Sequence, residues 1–209
     1  LVWSPTGTQL AFSSIATFDN FSTLYIYNVE TNEVRLVEKD HGFLLAETWT
    51  PDEKGLLFYV ASSKFNGGIW IVNVSSKSPP TLLESGNFAA WSITGKLAIS
   101  RKNPNGNIEI SIRDDTPNEE TILFSEPAIG INTLVWSANS SKLVFNLNRG
   151  EPGRRDIYVI DLKTQKTYQI TNAGANDSPS LSPNGKMVAY RKGDFSNSRS
   201  SYSLHIMNS

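Results

Sequence analysis

Short runs in which apolar and polar residues alternate recur along the whole chain of 209 residues. Runs such as TLYIYN at residues 23–28 and DIYVID at residues 156–161 place large apolar side chains at every second position, which is the pattern of a β-strand. Ser, Asn, Asp and Gly fill the segments between the runs, as expected for turns between antiparallel strands. No window keeps the 3.6-residue apolar period of a helix. The pattern therefore predicts an all-β chain of short antiparallel strands.

One unit of this pattern occurs five times. Each copy begins with a large apolar anchor, continues through a polar turn and enters a second strand with large apolar residues at or near the seventh and ninth positions after the anchor. The anchors are 46, 42, 45 and 45 residues apart. Four short strands in a period of this length are typical of a β-propeller blade. The anchors are Trp3, Trp49, Trp91, Trp136 and Leu181.

The repeats predict a single β-propeller domain or fragment over residues 1–209. A four-stranded sheet cannot bury both of its faces alone, so neighbouring blades are expected to cover each other, with the first strand near the axis and the fourth at the rim. The last repeat lacks a fourth strand and the sequence opens within a strand. We therefore expect part of a larger ring of six to eight blades, with a closed five-bladed ring as the alternative. The repeats span approximately residues 1–45, 46–87, 88–132, 133–177 and 178–209.

Composition argues against several classes of function. The chain has 19 Lys and Arg against 20 Asp and Glu, so no global field attracts nucleic acid or an anionic membrane. No run approaches the roughly 18 apolar residues of a membrane-spanning helix. There is no Cys, there are only two His, and no Gly-x-Ser-x-Gly elbow marks a serine nucleophile. We therefore predict no metal site, no cofactor and no catalysis by this chain.

The turn between the first and second strands resembles a known repeat. The segments Trp3-Ser4-Pro5 with Gly7, and Ser182-Pro183-Asn184-Gly185, are followed by strands like Leu-Ala-Phe. In this they are similar to the TolB-like repeats, also called PD40 or WD40-like propeller repeats. The resemblance covers the whole chain and implies a β-propeller. It also implies an extracytoplasmic protein of bacterial type, whether periplasmic, secreted or on the cell surface.

Short polar residues four positions before the anchors are a first candidate site. They are Asn87, Asn132 and Asp177, while repeat two has Leu45. One interpretation is a ring of polar side chains around the mouth of the central channel that binds a peptide or a cation. The alternative is that each side chain caps the turn that enters the inner strand, by hydrogen bonds to the backbone. The resemblance implies that an acidic residue is common here, which fits a structural role equally well.

Basic and aromatic loop residues are a second candidate site. Arg149, Arg154 and Arg155 lie in the loop between the second and third strands of repeat four, expected on the same face as the loops that carry His41 and Phe88. A basic sector of this kind suits an acidic segment of a partner, and aromatic loop residues tend to mark interfaces. The alternative is a solvated loop, with His41 lacking the partners that a ligand or base requires.

These observations predict a non-catalytic β-propeller scaffold that binds a protein or peptide partner. Binding is expected through loops on one face around the central channel, as the TolB-like resemblance implies. Neither nucleic acid nor membrane insertion is expected, and the oligomeric state is left open. The alternative is a propeller that gates a larger serine peptidase of the prolyl oligopeptidase or tricorn type, with the catalytic domain outside this chain.

Overall fold

Five antiparallel sheets make up the chain. A computed structural model describes residues 1–16, 21–40, 42–62, 67–76, 78–114, 119–151, 153–194 and 201–209. In each sheet the strands are neighbours in chain order, and the fifth sheet has three strands where the others have four. Within these ranges there is no helix, and so none with the length and apolar character to cross a bilayer. The predicted all-β fold of four-stranded antiparallel blades is confirmed.

The strands are numbered β1 to β19 along the chain. The first two sheets consist of β1 (Val2–Trp3), β2 (Gln9–Ala16), β3 (Phe21–Asn28) and β4 (Val34–Asp40), and of β5 (Gly42–Trp49), β6 (Gly55–Ser62), β7 (Gly68–Asn73) and β8 (Thr81–Glu84). The third and fourth consist of β9 (Phe88–Trp91), β10 (Leu97–Lys102), β11 (Asn107–Arg113) and β12 (Glu120–Pro127), and of β13 (Gly130–Trp136), β14 (Lys142–Asn148), β15 (Asp156–Asp161) and β16 (Lys166–Gln169). The fifth consists of β17 (Ala175–Leu181), β18 (Met187–Asp194) and β19 (Ser201–Asn208).

A hydroxyl group closes the first hairpin of every sheet. In the second sheet the Thr50 N–H donates to the carbonyl of Gly55 at 2.8 Å, and the Gly55 N–H donates to Thr50 Oγ1 at 2.8 Å. This local bond satisfies a backbone N–H of the turn that would otherwise bond to water, and it fixes where the second strand begins. The Ser or Thr that follows each anchor is therefore structural. The equivalent N–H to Oγ pairs are Gln9 to Ser4 (3.2 Å), Lys96 to Ser92 (2.9 Å), Lys142 to Ser137 (2.9 Å) and Met187 to Ser182 (3.0 Å).

The third residue after this hydroxyl has a positive φ in every sheet. Three copies use glycine there, and two copies place a side chain in this unfavourable region, Glu53 at 59° and Ser140 at 56°. The backbone strain at Glu53 is offset by hydrogen bonds, because the N–H and Oγ1 of Thr6 donate to its two carboxylate oxygens at 2.5 and 3.0 Å. Ser140 has a buried Oγ with no hydrogen-bond partner among the described residues. The glycines are Gly7, Gly95 and Gly185.

The compact unit Leu1–Trp91 contains the first two sheets packed face to face. Trp49 is 3% exposed, and its Nε1–H donates to the carbonyl of Val2 at 3.2 Å. The Leu44 N–H donates to Ser22 Oγ at 3.1 Å, so polar bonds accompany the apolar contact. Trp3 is 55% exposed. The anchors of these two sheets therefore differ in burial.

The compact unit Ser92–Ser209 repeats this arrangement. Strand β17 packs on β13, β14 and β15, and the cluster between these sheets includes Ile157, Val159 and Val188. Phe145 stacks on Tyr158 with 5.5 Å between ring centroids. The fourth strand β16 is exposed along its whole length. In the fourth sheet, burial is therefore concentrated in the first three strands.

The anchor Trp136 is buried, with 9% of its surface exposed. We expect Trp136→Ala to lower the free energy of unfolding by about 3–5 kcal/mol, because a large side chain leaves a cavity in a packed interior. Urea denaturation measures this change. Tyr168→Ala, on the exposed strand β16, is the control and is expected to cost less than about 1 kcal/mol. A loss below about 1 kcal/mol for Trp136→Ala would contradict the packing described.

The strained turn at Ser140 predicts a stabilising substitution. Ser140→Gly relieves the positive φ and removes a buried hydroxyl without a partner, so we expect it to raise the free energy of unfolding by about 1 kcal/mol. Ala138→Gly in the same turn lies outside the positive-φ positions and is expected to lower stability by roughly 0.5–1 kcal/mol. Thermal and urea unfolding of both variants measure the difference. Two changes of the same sign would show that φ at Ser140 is not the cause.

Candidate functional site

The structure brings three of the candidate residues together with Asp177 in the unit Ser92–Ser209. Arg149, Arg154 and Arg155 lie in and beside the segment between β14 and β15, and Asp177 is on β17. The loop before β13 is adjacent, because the Ile129 N–H donates to the carbonyl of Asn148 at 2.8 Å. His41 lies outside the described residues. The site therefore consists of the loop residues between the end of β14 and the start of β15, together with Asp177 on β17.

Arg149 is held by groups from two other strands. Its guanidinium donates to the hydroxyl of Tyr158 and to the carboxylate of Glu126, and it lies 5.2 Å from the centre of the Tyr158 ring. Tyr158 comes from the third-strand position at which the repeats place large side chains. The ion pair is about two-fifths exposed on both sides, so its contribution to stability is small. Arg149 is thus oriented, and its charge is matched.

Arg154 is fixed by three acceptors. It donates to Glu151 at 2.8 Å, to Asp156 at 3.0 Å and to the carbonyl of Asn172 at 3.1 Å. Asp156 is buried, with 4% of its surface exposed, and also accepts the hydroxyl of Thr171 at 3.3 Å. A buried carboxylate requires such partners. Arg154 therefore neutralises Asp156 and is less available to a ligand.

Asp177 is shared by two arginines. Arg191 donates to both carboxylate oxygens, at 2.7 and 2.9 Å, and its guanidinium lies 4.3 Å from the centre of the Tyr202 ring. Arg155 Nη1 is 3.8 Å from the same carboxylate. The hydrogen bonds from Arg191 hold the pKa of Asp177 below its ordinary value of 3.8 against the opposing effect of burial. The assignment of Asp177 to a channel-mouth ring stays a prediction.

The arginine cluster is balanced in charge. Four guanidinium groups lie among four carboxylates, and sequence reasoning missed most of these carboxylates because they come from four separate segments. The local surface is therefore not an open field of positive charge, and long-range attraction of an acidic partner is weak. The carboxylates are Glu126, Glu151, Asp156 and Asp177.

A half-open cleft lies in front of this cluster. Its larger part has a volume of about 270 Å³ and meets a smaller part along Glu151 and Arg154. Four of the six residues that line the larger part have polar or charged side chains, so hydrogen-bonding groups are available to a ligand there. The larger part is lined by Asn148, Glu151, Gly153, Arg154, Arg155 and Ala175.

The remaining candidates lie in different surroundings. Asn132 is exposed in an irregular part of β13, and its N–H donates to Asn146 Oδ1 at 2.9 Å. Asn87 is exposed in the turn before β9. Phe88 was expected in a loop, but it begins strand β9, is half-buried and stacks on Tyr59 at 6.2 Å. Packing against Tyr59 therefore accounts for part of its burial.

Catalytic groupings are sparse in the described ranges. No three His, Asp or Glu side chains are grouped there so that they could hold a metal ion. Ser203 Oγ lies 2.9 Å from His205 Nε2, while the other contact of the His205 ring is stacking on Tyr190 at 5.4 Å. A serine nucleophile requires a histidine that is oriented by a third group. No described carboxylate bonds to His205, so this pair lacks that arrangement.

Glu47 is a buried titratable group that sequence reasoning missed. The pairing of β5 with β6 shifts between Ala46 and Thr48, which places Glu47 in a β-bulge. Its Oε1 is buried with no hydrogen-bond partner among the described residues. Burial raises the pKa of Glu47 from 4.5 to about 8, although a hydrogen bond from the Ala89 N–H opposes this shift. The carboxyl is therefore largely protonated at neutral pH.

The raised pKa of Glu47 predicts a pH-dependent stability. The unfolded state releases this proton near pH 4.5 and the folded state near pH 8. The stability linked to the proton is therefore full below pH 4.5 and is lost as pH rises towards 8, at up to about 1.4 kcal/mol per pH unit. We expect Glu47→Gln to match the parent at pH 4 and to exceed its free energy of unfolding at pH 8.

Urea denaturation at pH 4, 6 and 8 measures the difference between Glu47→Gln and the parent. Glu30→Gln, at an exposed turn residue, is the matched control. We expect the control to follow the parent at all three values. A constant difference between Glu47→Gln and the parent across this range would contradict the raised pKa.

Comparisons with known proteins find TolB proteins and several enzymes. No protein-family model matches the chain. The Tol-Pal system protein TolB of Francisella tularensis subsp. tularensis is 33% identical over 82 residues, which is 39% of this chain and 18% of that protein. TolB from Acinetobacter baumannii gives a TM-score of 0.75 at 20% identity, over 97% of this chain and 50% of that chain. A putative TolB from Agrobacterium tumefaciens gives a TM-score of 0.66 at 18% identity, over 93% of this chain and 66% of that chain.

The chain thus spans 50% of the Acinetobacter TolB structure. Enzymes share the fold as well. A puromycin-hydrolysing peptidase of Mycobacterium tuberculosis gives a TM-score of 0.61 at 18% identity, over 92% of this chain and 34% of that chain. An oligogalacturonate lyase in complex with manganese gives a TM-score of 0.64 at 14% identity, over 95% of this chain and 62% of that chain. These identities show the fold alone, whereas the Francisella relative adds a match in sequence over 39% of the chain. The prediction from the repeats is confirmed for the fold: the chain has the fold of a TolB-like β-propeller.

Proposed function

We propose that the chain is a non-catalytic scaffold that binds a protein or peptide partner through the loops around the arginine cleft. The observation that carries the proposal is a cleft whose guanidinium groups are held in place beside an exposed apolar residue, Ile129, which is 63% exposed. Arginine and apolar anchors in defined positions are typical of interface centres. The Francisella relative is named as a protein of the Tol-Pal system, which supports a protein partner.

The same likeness supports an extracytoplasmic location of bacterial type. The TolB-like fold and the match to the Francisella protein are the observations behind this part of the proposal. Asn87, Asn132 and Asp177 remain candidates for contacts around the channel mouth. Phe88 and His41 remain candidates for the loop face.

The alternative function is that of a propeller domain in a larger peptidase. It is favoured by the fold likeness to the Mycobacterium peptidase, in which this fold corresponds to 34% of the chain, and to the tricorn protease, in which it corresponds to 20%. The described residues offer one Ser–His contact without an orienting acid. Under this alternative, catalysis belongs to residues outside this sequence.

Site-specific crosslinking in the source cell tests the scaffold function. Ile129 is replaced by a photo-reactive benzoylphenylalanine, which stands at the edge of the cleft on an exposed position. We expect illumination to produce a discrete adduct with one protein partner, identified by mass spectrometry. The matched control places the same residue at Tyr168, which is exposed on the outer strand β16.

The control position is expected to give no adduct with that partner. Equal adducts at both positions, or none at Ile129, would contradict binding through the cleft loops. If the crosslinked protein is instead a substrate that the full-length protein cleaves, the peptidase alternative is favoured.

A further inference from the structure

Arg155 differs from the other arginines of the cluster in its acceptors. Its Nε is buried and has no hydrogen-bond partner among the described residues. Its carboxylate neighbour is Asp177, whose nearest oxygen is 3.8 Å from Nη1, beyond hydrogen-bond distance. Both oxygens of Asp177 already accept hydrogen bonds from Arg191. Arg155 is therefore the arginine of the cluster whose guanidinium has no hydrogen-bond acceptor among the described residues.

The backbone at Arg155 is fixed in place. The Arg155 N–H donates to the carbonyl of Gly174 at 3.1 Å, and the Arg155 carbonyl accepts the Asn176 N–H at 3.0 Å. The side-chain amide of Asn176 donates to the same carbonyl at 3.0 Å and to the carbonyl of Ala173 at 2.8 Å. Asn176 is 1% exposed. These bonds join the start of β15 to the start of β17, so Arg155 is presented by rigid structure.

The neighbouring arginines do not offer the same opportunity. Arg154 donates to Glu151, Asp156 and Asn172, and Arg149 is held by Glu126 and Tyr158. A ligand acid that bound either of them would compete with an internal carboxylate for the guanidinium. The Arg155 side chain is 37% exposed although its Nε is buried, so a ligand acid would bind the terminal nitrogens there without displacing an existing hydrogen bond.

The cleft in front of Arg155 has room for a small acidic group. Its volume is about 270 Å³, and Arg155 and Gly153 are part of its lining. A guanidinium binds a carboxylate through two parallel hydrogen bonds, and such charge-assisted pairs are stronger than neutral ones. The local charge balance removes general attraction of anions, so recognition depends on this geometry.

We infer that Arg155 is the centre of a carboxylate-binding site, and that its ligand is a Glu or Asp side chain of the partner protein. This inference rests on the proposed function, because it specifies how the cleft loops engage a partner. The partner's acidic side chain enters between Gly153 and Ala175 and accepts hydrogen bonds from the Arg155 guanidinium. Arg154 and Arg149 remain in their internal ion pairs.

Nuclear magnetic resonance of the arginine side chains tests the inference. The purified protein is titrated with an acetylated, amidated pentapeptide containing two glutamates, and with the matched pentapeptide containing glutamines. We expect the Arg155 Nε–H resonance to shift with the glutamate peptide and to stay unchanged with the glutamine peptide. A larger response of Arg149 or Arg154 than of Arg155 would overturn the assignment.

Two substitutions separate charge from geometry. We expect Arg155→Gln to weaken binding of the glutamate peptide at least tenfold, and Arg155→Lys to weaken it by a smaller factor, because lysine keeps the charge but loses the bidentate fork. Arg35→Gln, at an exposed position on β4, is the control and is expected to leave the affinity unchanged. Arg155→Lys also carries the test if Arg155→Gln fails to fold, which thermal melting reports. Unchanged affinity in a folded Arg155 variant would overturn the site.

Inorganic phosphate distinguishes a general anion site from an acidic side-chain site. If phosphate saturates the Arg155 resonance at lower concentration than the glutamate peptide does, the assignment to a partner side chain is wrong. Failure of this inference is separable from failure of the proposed function. If the Ile129 crosslink still forms in Arg155→Gln, the scaffold function stands without the carboxylate site. If no Ile129 crosslink forms in the protein with Arg155 intact, the proposed function itself is wrong.

Discussion

Burial of sheet faces against neighbouring sheets is the constraint on which the structure depends. A four-stranded sheet exposes two faces, and neither can be buried by the sheet itself. Within Leu1–Trp91, Trp49 meets this requirement by packing on the first sheet and bonding to Val2. Within Ser92–Ser209, Ile157 and Val159 are covered by the fifth sheet. The side chains of these buried strands are therefore constrained by packing, whereas the loops tolerate more variation in sequence.

The hydroxyl-closed turns make this packing repeatable. Each one fixes the start of the second strand at a set distance from the anchor, so the apolar residues of successive sheets meet in the same way. The cost appears at Ser140, where a side chain occupies a backbone region that glycine tolerates better. At Glu53 the same backbone position gains two hydrogen bonds from Thr6, so strain and contact offset each other.

The loops of Ser92–Ser209 carry charge in a form suited to recognition more than to chemistry. Arg149 and Arg154 are matched by carboxylates of their own chain, and Asp177 is held ionised by Arg191. Such a network orients side chains but provides no nucleophile and no proton donor tuned near neutral pH. Glu47 has a pKa of about 8, but it lies in a bulge of the other unit and its free oxygen is buried. This arrangement supports the proposed binding of a partner through directed hydrogen bonds.

Sequence reasoning recovered the features that repetition encodes. The anchor spacing predicted the sheets, and the Ser or Thr after each anchor was visible, although its bond to the second strand was not. Pairing across distant segments was not predictable: the partners of Arg149 and Arg154 lie on other strands, and Glu126 carries no repeat signal. The burial of the Glu47 carboxyl depends on a bulge, and the burial of an anchor such as Trp49 depends on what packs against it. Neither follows from periodicity.

The central claim is that the cleft loops are presented by rigid β-structure before any partner binds. Native-state hydrogen exchange at the backbone amides of Arg155 and Asn176 tests it most directly, because both N–H groups are hydrogen-bonded across β15 and β17. The account predicts protection comparable to that of the Val159 amide in the middle of β15. Exchange at the rate of an exposed loop amide, with Val159 still protected, would contradict it.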